Sequence, residues 1–311
     1  MIEKVDRCPQ VFITEIEISR RLLSGIFERS LECIIPRKQE VNEMNYFPIQ
    51  DCDTGDNLAL TLKTIVRGIK RSDHCPKREL IELLQEEILL DSARGNAGMI
   101  FTGWFSGFLD YLAEEMVLNT SSLGLAMERG EKRGYEVFTR PRKGTILDTI
   151  SVSTQVALSN NHNQRNLVSV FEIIVEQARK ALEHTTEELS ELLKDNKTSQ
   201  EIAELQENKV VDAGALGFYL FLTGFKAALE EMTAERGGAV VVIEGDENLE
   251  KSIIQGALMG FGDSLDIRIS PSGRRAAVHI HTDHPLSILK AASKFGNITE
   301  FRIEDLSEDG A

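Results

Sequence analysis

Asp51 and Asp53 stand two residues apart, directly before a Thr54-Gly55 turn and an apolar-periodic run from Leu58 to Ile69. Carboxylates are hard oxygen ligands, and a pair facing one way can hold a divalent cation such as Mg2+. Pro48 disfavours helix at and just before its own position, so residues 48 to 53 are expected to be extended. Alternation along such a segment puts residues i and i+2 on one side. The helix that follows is expected to offer unpaired N–H groups and a positive dipole end, a seat for phosphate. A metal pair beside an anion seat is what a nucleotide–Mg2+ site needs. An Asp-x-Asp turn is equally common as a plain N-cap, so on this segment alone both readings stand.

Three further turns share this character. Asp91-Ser92-Ala93-Arg94-Gly95-Asn96-Ala97-Gly98 ends a charged amphipathic helix over about 77–93 and opens an apolar one over about 98–115. A Gly-Asn-Ala-Gly bend lets backbone approach a bulky anion without Cβ collisions, although glycine also ends helices for capping reasons alone. Lys143-Gly144-Thr145-Ile146-Leu147-Asp148 starts a helix with Thr145 as N-cap, after the basic group Arg140, Arg142 and Lys143. Val211-Asp212-Ala213-Gly214-Ala215-Leu216-Gly217 starts another that runs to about Met232. Taken singly each reads as a bare helix start; four polar starts in one helical region carry more weight.

The elements that must position these turns are helical. Amphipathic runs lie near 13–35, 56–71, 77–93, 98–115, 121–136, 145–158, 166–194 and 214–232, with no convincing strand among them. The segment 183–209, rich in Glu and Lys, reads as an exposed helical hairpin or lid without assignable chemistry. Near Thr233 to Gly238 the period changes. Ala239–Glu244 is β-rich, Glu247–Gly260 helical, Leu265–Ser270 and Arg275–Thr282 alternating, Pro285–Phe295 helical and Ile298–Leu306 a final strand. This βαββαβ order predicts a small split-βαβ sandwich. The chain's 311 residues therefore divide into two expected domains, 1–235 and 236–311, giving a multi-domain α and α+β fold class.

Composition narrows the function. A net charge of −15 argues against nucleic-acid partners and acidic membrane surfaces. The four cysteines, at 8, 33, 52 and 75, show neither metal spacing nor a disulfide framework, which points to a reducing compartment. No apolar signal core opens the chain and no apolar run spans a bilayer, so a cytoplasmic protein, not integral to a membrane, is expected. His279 and His281 share one face of a strand, with His284 close by. Two imidazoles at that spacing can bind zinc, or be packed and hydrogen-bonded histidines.

Taken together, the four turns resemble the nucleotide-binding domain of the dihydroxyacetone kinase family, in the branch that includes the bacterial fatty acid kinase. The carrying residues are Asn45-x-Phe47-Pro48-x-x-Asp51-x-Asp53-Thr54-Gly55-x-Asn57, then Ala93-Arg94-Gly95-Asn96-Ala97-Gly98, then Gly144-Thr145-Ile146-Leu147, then Val211-Asp212-Ala213-Gly214 with Gly217. Val278-His279-Ile280-His281-Thr282-Asp283-His284-Pro285 resembles a strand of the fatty acid kinase middle domain. The likeness runs from about residue 10 to 306. It departs from the family at Cys52, where the family has Gly, and at Ala97, where it has Ser.

The resemblance implies an up-and-down barrel of about eight helices with ligands at one rim, followed by the βαββαβ domain. It implies Mg2+, one or two ions, held by Asp51 and Asp53, the residues assigned to catalysis. Asn45 occupies the place of a further ligand and equally suits a local backbone cap. Thr54, Gly55, Asn57, Asn96, Ala97 and Gly98 would cradle the phosphates of ATP or ADP; Thr145, Ile146, Asp212 and Gly214 would line the nucleotide. The implied reaction is ATP-dependent phosphoryl transfer to a fatty acid carboxylate carried by a separate fatty-acid-binding protein, giving an acyl phosphate. A carboxylate acceptor needs no general base, and no histidine lies in the metal motif. The alternatives are a non-catalytic nucleotide-binding regulator or scaffold, and a dihydroxyacetone-type kinase subunit. The family's middle domain also implies a homodimer through the C-terminal domain, and zinc held there with a cysteine; no cysteine follows residue 75. The fatty acid kinase usually carries a further C-terminal domain for its lipid-carrying partner, whereas this chain stops at Ala311 after an acidic tail. It is expected to be a shortened homologue, a piece of a longer protein, or a protein with another acceptor.

Overall fold

The structure, a computed structural model, describes residues 15–46, 51–72, 75–91, 95–137, 143–161, 166–194, 197–234, 237–245, 248–282 and 285–305. These divide into two compact units, 15–230 and 231–305. The first is mostly helical and the second holds a four-stranded antiparallel sheet.

The helical unit opens with a three-residue strand, β1 (Glu15–Glu17), before α1 (Arg20–Ile34). A 3-10 turn, Ile35–Arg37, leads into the short α2 (Lys38–Glu43). Then come α3 (Thr54–Arg71), α4 (Lys77–Asp91), α5 (Gly95–Glu114), β2 (Val117–Asn119) and α6 (Thr120–Glu136). The series ends with α7 (Ile146–Ser159), α8 (Leu167–Leu193), α9 (Ser199–Glu207) and α10 (Ala213–Ala234). Two local readings need correction. The run over 13–35 is not one helix, because Ser19 caps α1 by accepting from Leu22 N, and β1 pairs antiparallel with β2 just upstream. Strands of three residues are too short to display a two-residue period. Second, α5 starts at Gly95 and not near 98, so Asn96, Ala97 and Gly98 form its first turn.

The core of this unit is aromatic. Phe27, Phe101, Trp104, Phe105, Phe108, Phe171, Phe218, Phe221 and Phe225 are all fully buried, from α1, α5, α8 and α10. Trp104 stacks on Phe108 at 4.8 Å, and Phe105 meets Phe221 edge-on at 5.0 Å. Such pairs add about 0.5–1.5 kcal/mol each beyond their burial. α5 and α6 approach backbone to backbone, since a Cβ on Gly107 would lie 2.4 Å from Arg129 O. The charged segment over 183–209 forms the end of α8 and α9. It is not wholly exposed: Leu189, Leu193, Leu205 and Val210 bury a small cluster beside Met44 and Tyr46.

The second unit runs β3 (Gly237–Glu244), α11 (Lys251–Leu258), β4 (Asp263–Ile269), β5 (Arg275–Thr282), α12 (Pro285–Ala292) and β6 (Asn297–Asp305). Its sheet order is β4-β5-β3-β6, the split-βαβ arrangement. Alternate residues Ala239, Val241, Ile243, Ala276, Val278 and Ile280 pack with Ile254 and Leu258 of α11 and Ile288 of α12. His279 and His281 therefore occupy the opposite face, their rings 5.1 Å apart edge to face. His284 lies outside the described residues. Among the described residues no helix is long and apolar enough to cross a membrane.

Candidate functional site

The turn before α3 is a bend and not an extended segment. Cys52 sits at φ +54 and Asp53 at φ −123, ψ 1, so strand alternation is not what orients the two carboxylates. Phe47 to Gln50 lie outside the described residues. The left-handed conformation at Cys52 explains why a glycine suits the middle of this motif: a side chain there costs about 1–2 kcal/mol.

Asp53 occupies the N-cap position of α3, yet its side chain makes no capping hydrogen bond. The cap comes instead from Asn42 of α2. Its Oδ1 accepts from Gly55 N at 2.7 Å and Asp56 N at 3.3 Å, and its Nδ2 donates to Asp56 Oδ2 at 2.7 Å. Asn57 N donates to Asp53 O at 2.9 Å. The expected unpaired N–H groups are thus already taken, those of Gly55 and Asp56 by the neighbouring α2 and that of Asn57 by its own turn. Lys38 Nζ lies 2.6 Å from Asp56 Oδ1. With Asn42 it holds the Asp56 carboxyl below the usual carboxylate range. Gly55 admits α2 so closely that a Cβ there would meet Lys38 O at 2.4 Å.

Asn45, just beyond α2, is buried, and its amide donates to the Asp51 carboxylate. Asp51 is exposed and Asp53 half-buried, while Thr54 and Asn57 are buried in the first turn of α3. The second motif comes to the first: a Cβ on Gly95, at φ +65, would lie 3.2 Å from Asn57 Nδ2 and 3.8 Å from Asp53 Oδ1. The neighbouring Asn96 is exposed and Ala97 half-buried, with Gly98 buried beneath them.

The third and fourth motifs are joined by Asp212. Its Oδ2 accepts from Ile146 N at 3.0 Å and Ala215 N at 2.8 Å, and its own N–H donates to Thr185 Oγ1 at 3.0 Å. This one residue ties the starts of α7 and α10 to α8. Burial pushes its carboxyl up to about 6, against the opposing pull of the two amides. Asp212 is buried, and the backbone amides of Ile146 and Ala215 both reach its Oδ2. Thr145 is the N-cap of α7 in a capping box with Asp148. Gly214 fits against α7, where a Cβ would meet that of Ile146 at 3.1 Å.

The two pairs of motifs meet through Gly217. A Cβ there would lie 2.8 Å from Leu58 Cδ2 and 3.3 Å from the Phe101 ring. Leu58 is in the second turn of α3, Phe101 is near the start of α5 and Gly217 is in the first turns of α10. The starts of α3, α5, α7 and α10 therefore gather at one end of the helical unit. Arg94, Arg140 and Arg142 lie outside the described residues; Lys143 is exposed before α7.

The donor set suits Mg2+. Among the described residues no three acids, histidines or cysteines form a closed metal cage, the His279–His281 pair included. Mg2+ needs no such cage: it keeps several waters and takes one or two carboxylates plus substrate phosphates. Asp51 is accessible to solvent, and Asp53 is a carboxylate at an N-cap position whose side chain makes no capping bond.

Sequence reasoning missed Asn42 and Lys38. Asn42 lies nine residues before Asp51 with no motif around it; its polarity on the buried face of a short helix is the one signal it carries.

The DAK2 domain model matches residues 48–227, more than half of the chain, and the model of the fatty acid kinase-like middle domain matches 227–311. An uncharacterized protein of Staphylococcus aureus strain USA300 is 24% identical over 326 residues, covering 94% of this chain and 56% of that protein. A protein of strain MRSA252 is 23% identical with the same coverage. The chain thus spans little more than half the length of the curated relatives it matches. The crystal structure of the dihydroxyacetone kinase from C. freundii in complex with AMP-PNP and Mg2+ aligns with 73% of this chain and 37% of its own, at 14% identity and TM-score 0.47. On the match over residues 48–227, the chain belongs to the DAK2 domain family, with a fatty acid kinase-like middle domain after it.

Proposed function

We propose that this chain binds ATP with Mg2+ and transfers the terminal phosphoryl group to a fatty acid carboxylate presented by a separate lipid-binding protein. The observation that carries this reading is the meeting of four motif-bearing helix starts at one end, with Asp51 and Asp53 left for a cation. The eight long helices α1, α3 to α8 and α10 are read as the staves of an up-and-down barrel whose rim is this end. The kinase domain is taken as 1–235 and the middle-type domain as 236–311, the latter a candidate for forming a homodimer.

Asp51 and Asp53 hold the cation, with Asn45 orienting Asp51. When bound, Mg2+ would offset the charge of the nucleotide's phosphates. Thr54 and Asn57 on α3, with Asn96, Ala97 and Gly98 at the start of α5, supply hydroxyl, amide and N–H donors for phosphate oxygens. Gly55 contributes by admitting α2, since its N–H is engaged. Thr145, Ile146 and Gly214 frame the nucleotide, and Asp212 acts on it through the two helix starts it joins. The acceptor carboxylate is ionised at neutral pH, so positioning and charge neutralisation suffice and no base is required.

Calorimetry tests this reading. ATP with Mg2+ should bind the wild-type chain, and Asp51→Ala with Asp53→Ala should abolish binding while leaving the fold intact. Equal affinity in both proteins would refute the assignment. Acyl phosphate formation with a lipid-loaded binding protein from the same genome then tests the acceptor. Cys52, strained where glycine is at ease, and Ala97, without a hydroxyl, favour a second reading as a non-catalytic nucleotide-binding regulator. In that case nucleotide binds with no sustained ADP release.

A further inference from the structure

We infer that Asn42 is a positioning residue for the cation site: it caps α3 in place of Asp53 and so leaves the Asp53 carboxylate for the metal. The inference rests on the reading of Asp51 and Asp53 as cation ligands. Aspartate is among the strongest N-cap residues, and an N-cap side chain takes the amides of the second and third helical residues. In α3 those residues are Gly55 and Asp56, and Asn42 Oδ1 accepts from both. An unopposed Asp53 would turn onto these N–H groups and tie its oxygens to backbone. Asn42 is 5% exposed, so its amide is fixed by burial as well as by three hydrogen bonds. Its Nδ2 also draws Asp56, with Lys38, to the α2 side of the turn. A third carboxylate is thereby engaged away from Asp53. Three residues along, Asn45 orients Asp51 directly, by donating to its carboxylate. The short helix α2 and the turn after it thus set both ligands of the pair.

The test separates a positioning role from a merely structural one. Mn2+, titrated into the full chain without nucleotide and followed by electron paramagnetic resonance, reports the cation site alone. Asn42→Ala should raise the Mn2+ dissociation constant about tenfold or more, the usual effect of removing a group that orients a ligand. Asn42→Asp combined with Asp56→Asn, which keeps the acceptor for the two backbone amides and exchanges donor and acceptor between the two side chains, should retain most of the affinity. Urea unfolding in EDTA supplies the second readout. Asp53→Ala should leave the midpoint of the otherwise wild-type chain unchanged, because Asp53 caps nothing. In the Asn42→Ala background the same change should lower the folding equilibrium constant about fivefold, the effect of a lost N-cap, because Asp53 has taken over. Mn2+ affinity unchanged by Asn42→Ala overturns the inference alone. So does a full cap loss from Asp53→Ala in the wild-type chain, a measurement that stands even if Asn42→Ala fails to fold. A wild-type chain that takes up no Mn2+ overturns the cation-site reading and this inference with it.

Discussion

The starts of α3 and α7 belong to the same end of the helical unit, and they are secured in opposite ways. α7 is held from within and from without: Thr145 and Asp148 form a capping box, and Asp212 reaches in from the start of α10 to take Ile146 N. α3 is held from without alone, by Asn42, while its own N-cap Asp53 makes no capping bond. At α7 the polar side chains are consumed by the fold. At α3 a neighbouring element does the capping, and the side chain of Asp53 is not used for it. A motif read along the chain cannot tell these two cases apart, since each presents an acid and a hydroxyl residue at a helix start.

The comparison breaks first at Asp212, the residue on which the α7 side depends. Asp212→Ala leaves Ile146 N and Ala215 N buried without their partner and should cost about 2–3 kcal/mol at pH 7. A loss below about 0.5 kcal/mol would show that the two helix starts are held by something else. Asp212 also carries a pH signature. Its folded value, about 6, lies above its ordinary 3.8, so the folded chain binds this proton more tightly than the unfolded chain does. The contribution to stability is therefore fully present below pH 3.8 and is lost as pH rises through about 6. The whole change amounts to about 3 kcal/mol. Asp212→Asn keeps an acceptor and removes the titration. Urea unfolding at pH 4, 5, 6 and 7 should show wild type losing stability relative to this variant over that interval. A constant difference between the two proteins would contradict the burial of an ionisable group.

Much of this was legible in the sequence, and what was not shares one cause. The long helices announce themselves by apolar spacing, and Thr145 announces its cap by residue type and position. The βαββαβ order follows from the change of period after Thr233. Asn42 was invisible because its partners lie 13 and 14 residues away on another helix, and no local pattern records a cap supplied in trans. The same reason hid the engagement of Gly55 N, which the sequence suggested would be open to phosphate. The β1–β2 pair escaped because its partners lie about a hundred residues apart and span three residues each. The left-handed backbone at Cys52 was concealed by a residue type that seldom adopts it, in a segment where Pro48 suggested extension.

That strain gives the next, smaller test, this time on the α3 side. Cys52 at φ +54 has a Cβ where the left-handed conformation disfavours one. Cys52→Gly should stabilise the chain by about 0.5–1 kcal/mol, the relieved strain being partly offset by the greater freedom of glycine in the unfolded chain. Urea midpoints of the two proteins measure it. A variant less stable than wild type would mean that the thiol makes a favourable contact outweighing the strain. The turn before α3 would then be anchored from within, like α7, and the contrast between the two starts would shrink.

The smallest expected effect sharpens the α7 side. An N-cap threonine replaced by alanine ordinarily costs about 1 kcal/mol, and up to about 2 where nothing else serves the first turn. At α7, Asp148 still accepts from Gly144 N and Thr145 N, and Asp212 still accepts from Ile146 N. Leu147 N, which donates to Thr145 Oγ1 at 3.4 Å, loses that acceptor, while Asp148 N, which also donates to the Thr145 side chain, keeps Thr145 O at 3.0 Å. Thr145→Ala should therefore cost only about 0.5 kcal/mol, at the low end for a lost cap. The cost should grow when Asp212 is also replaced, because the two side chains serve adjacent amides of one turn. Strictly additive losses in urea unfolding of the single and double variants would show that the two caps act independently, and that α7 has no reserve to distinguish it from α3.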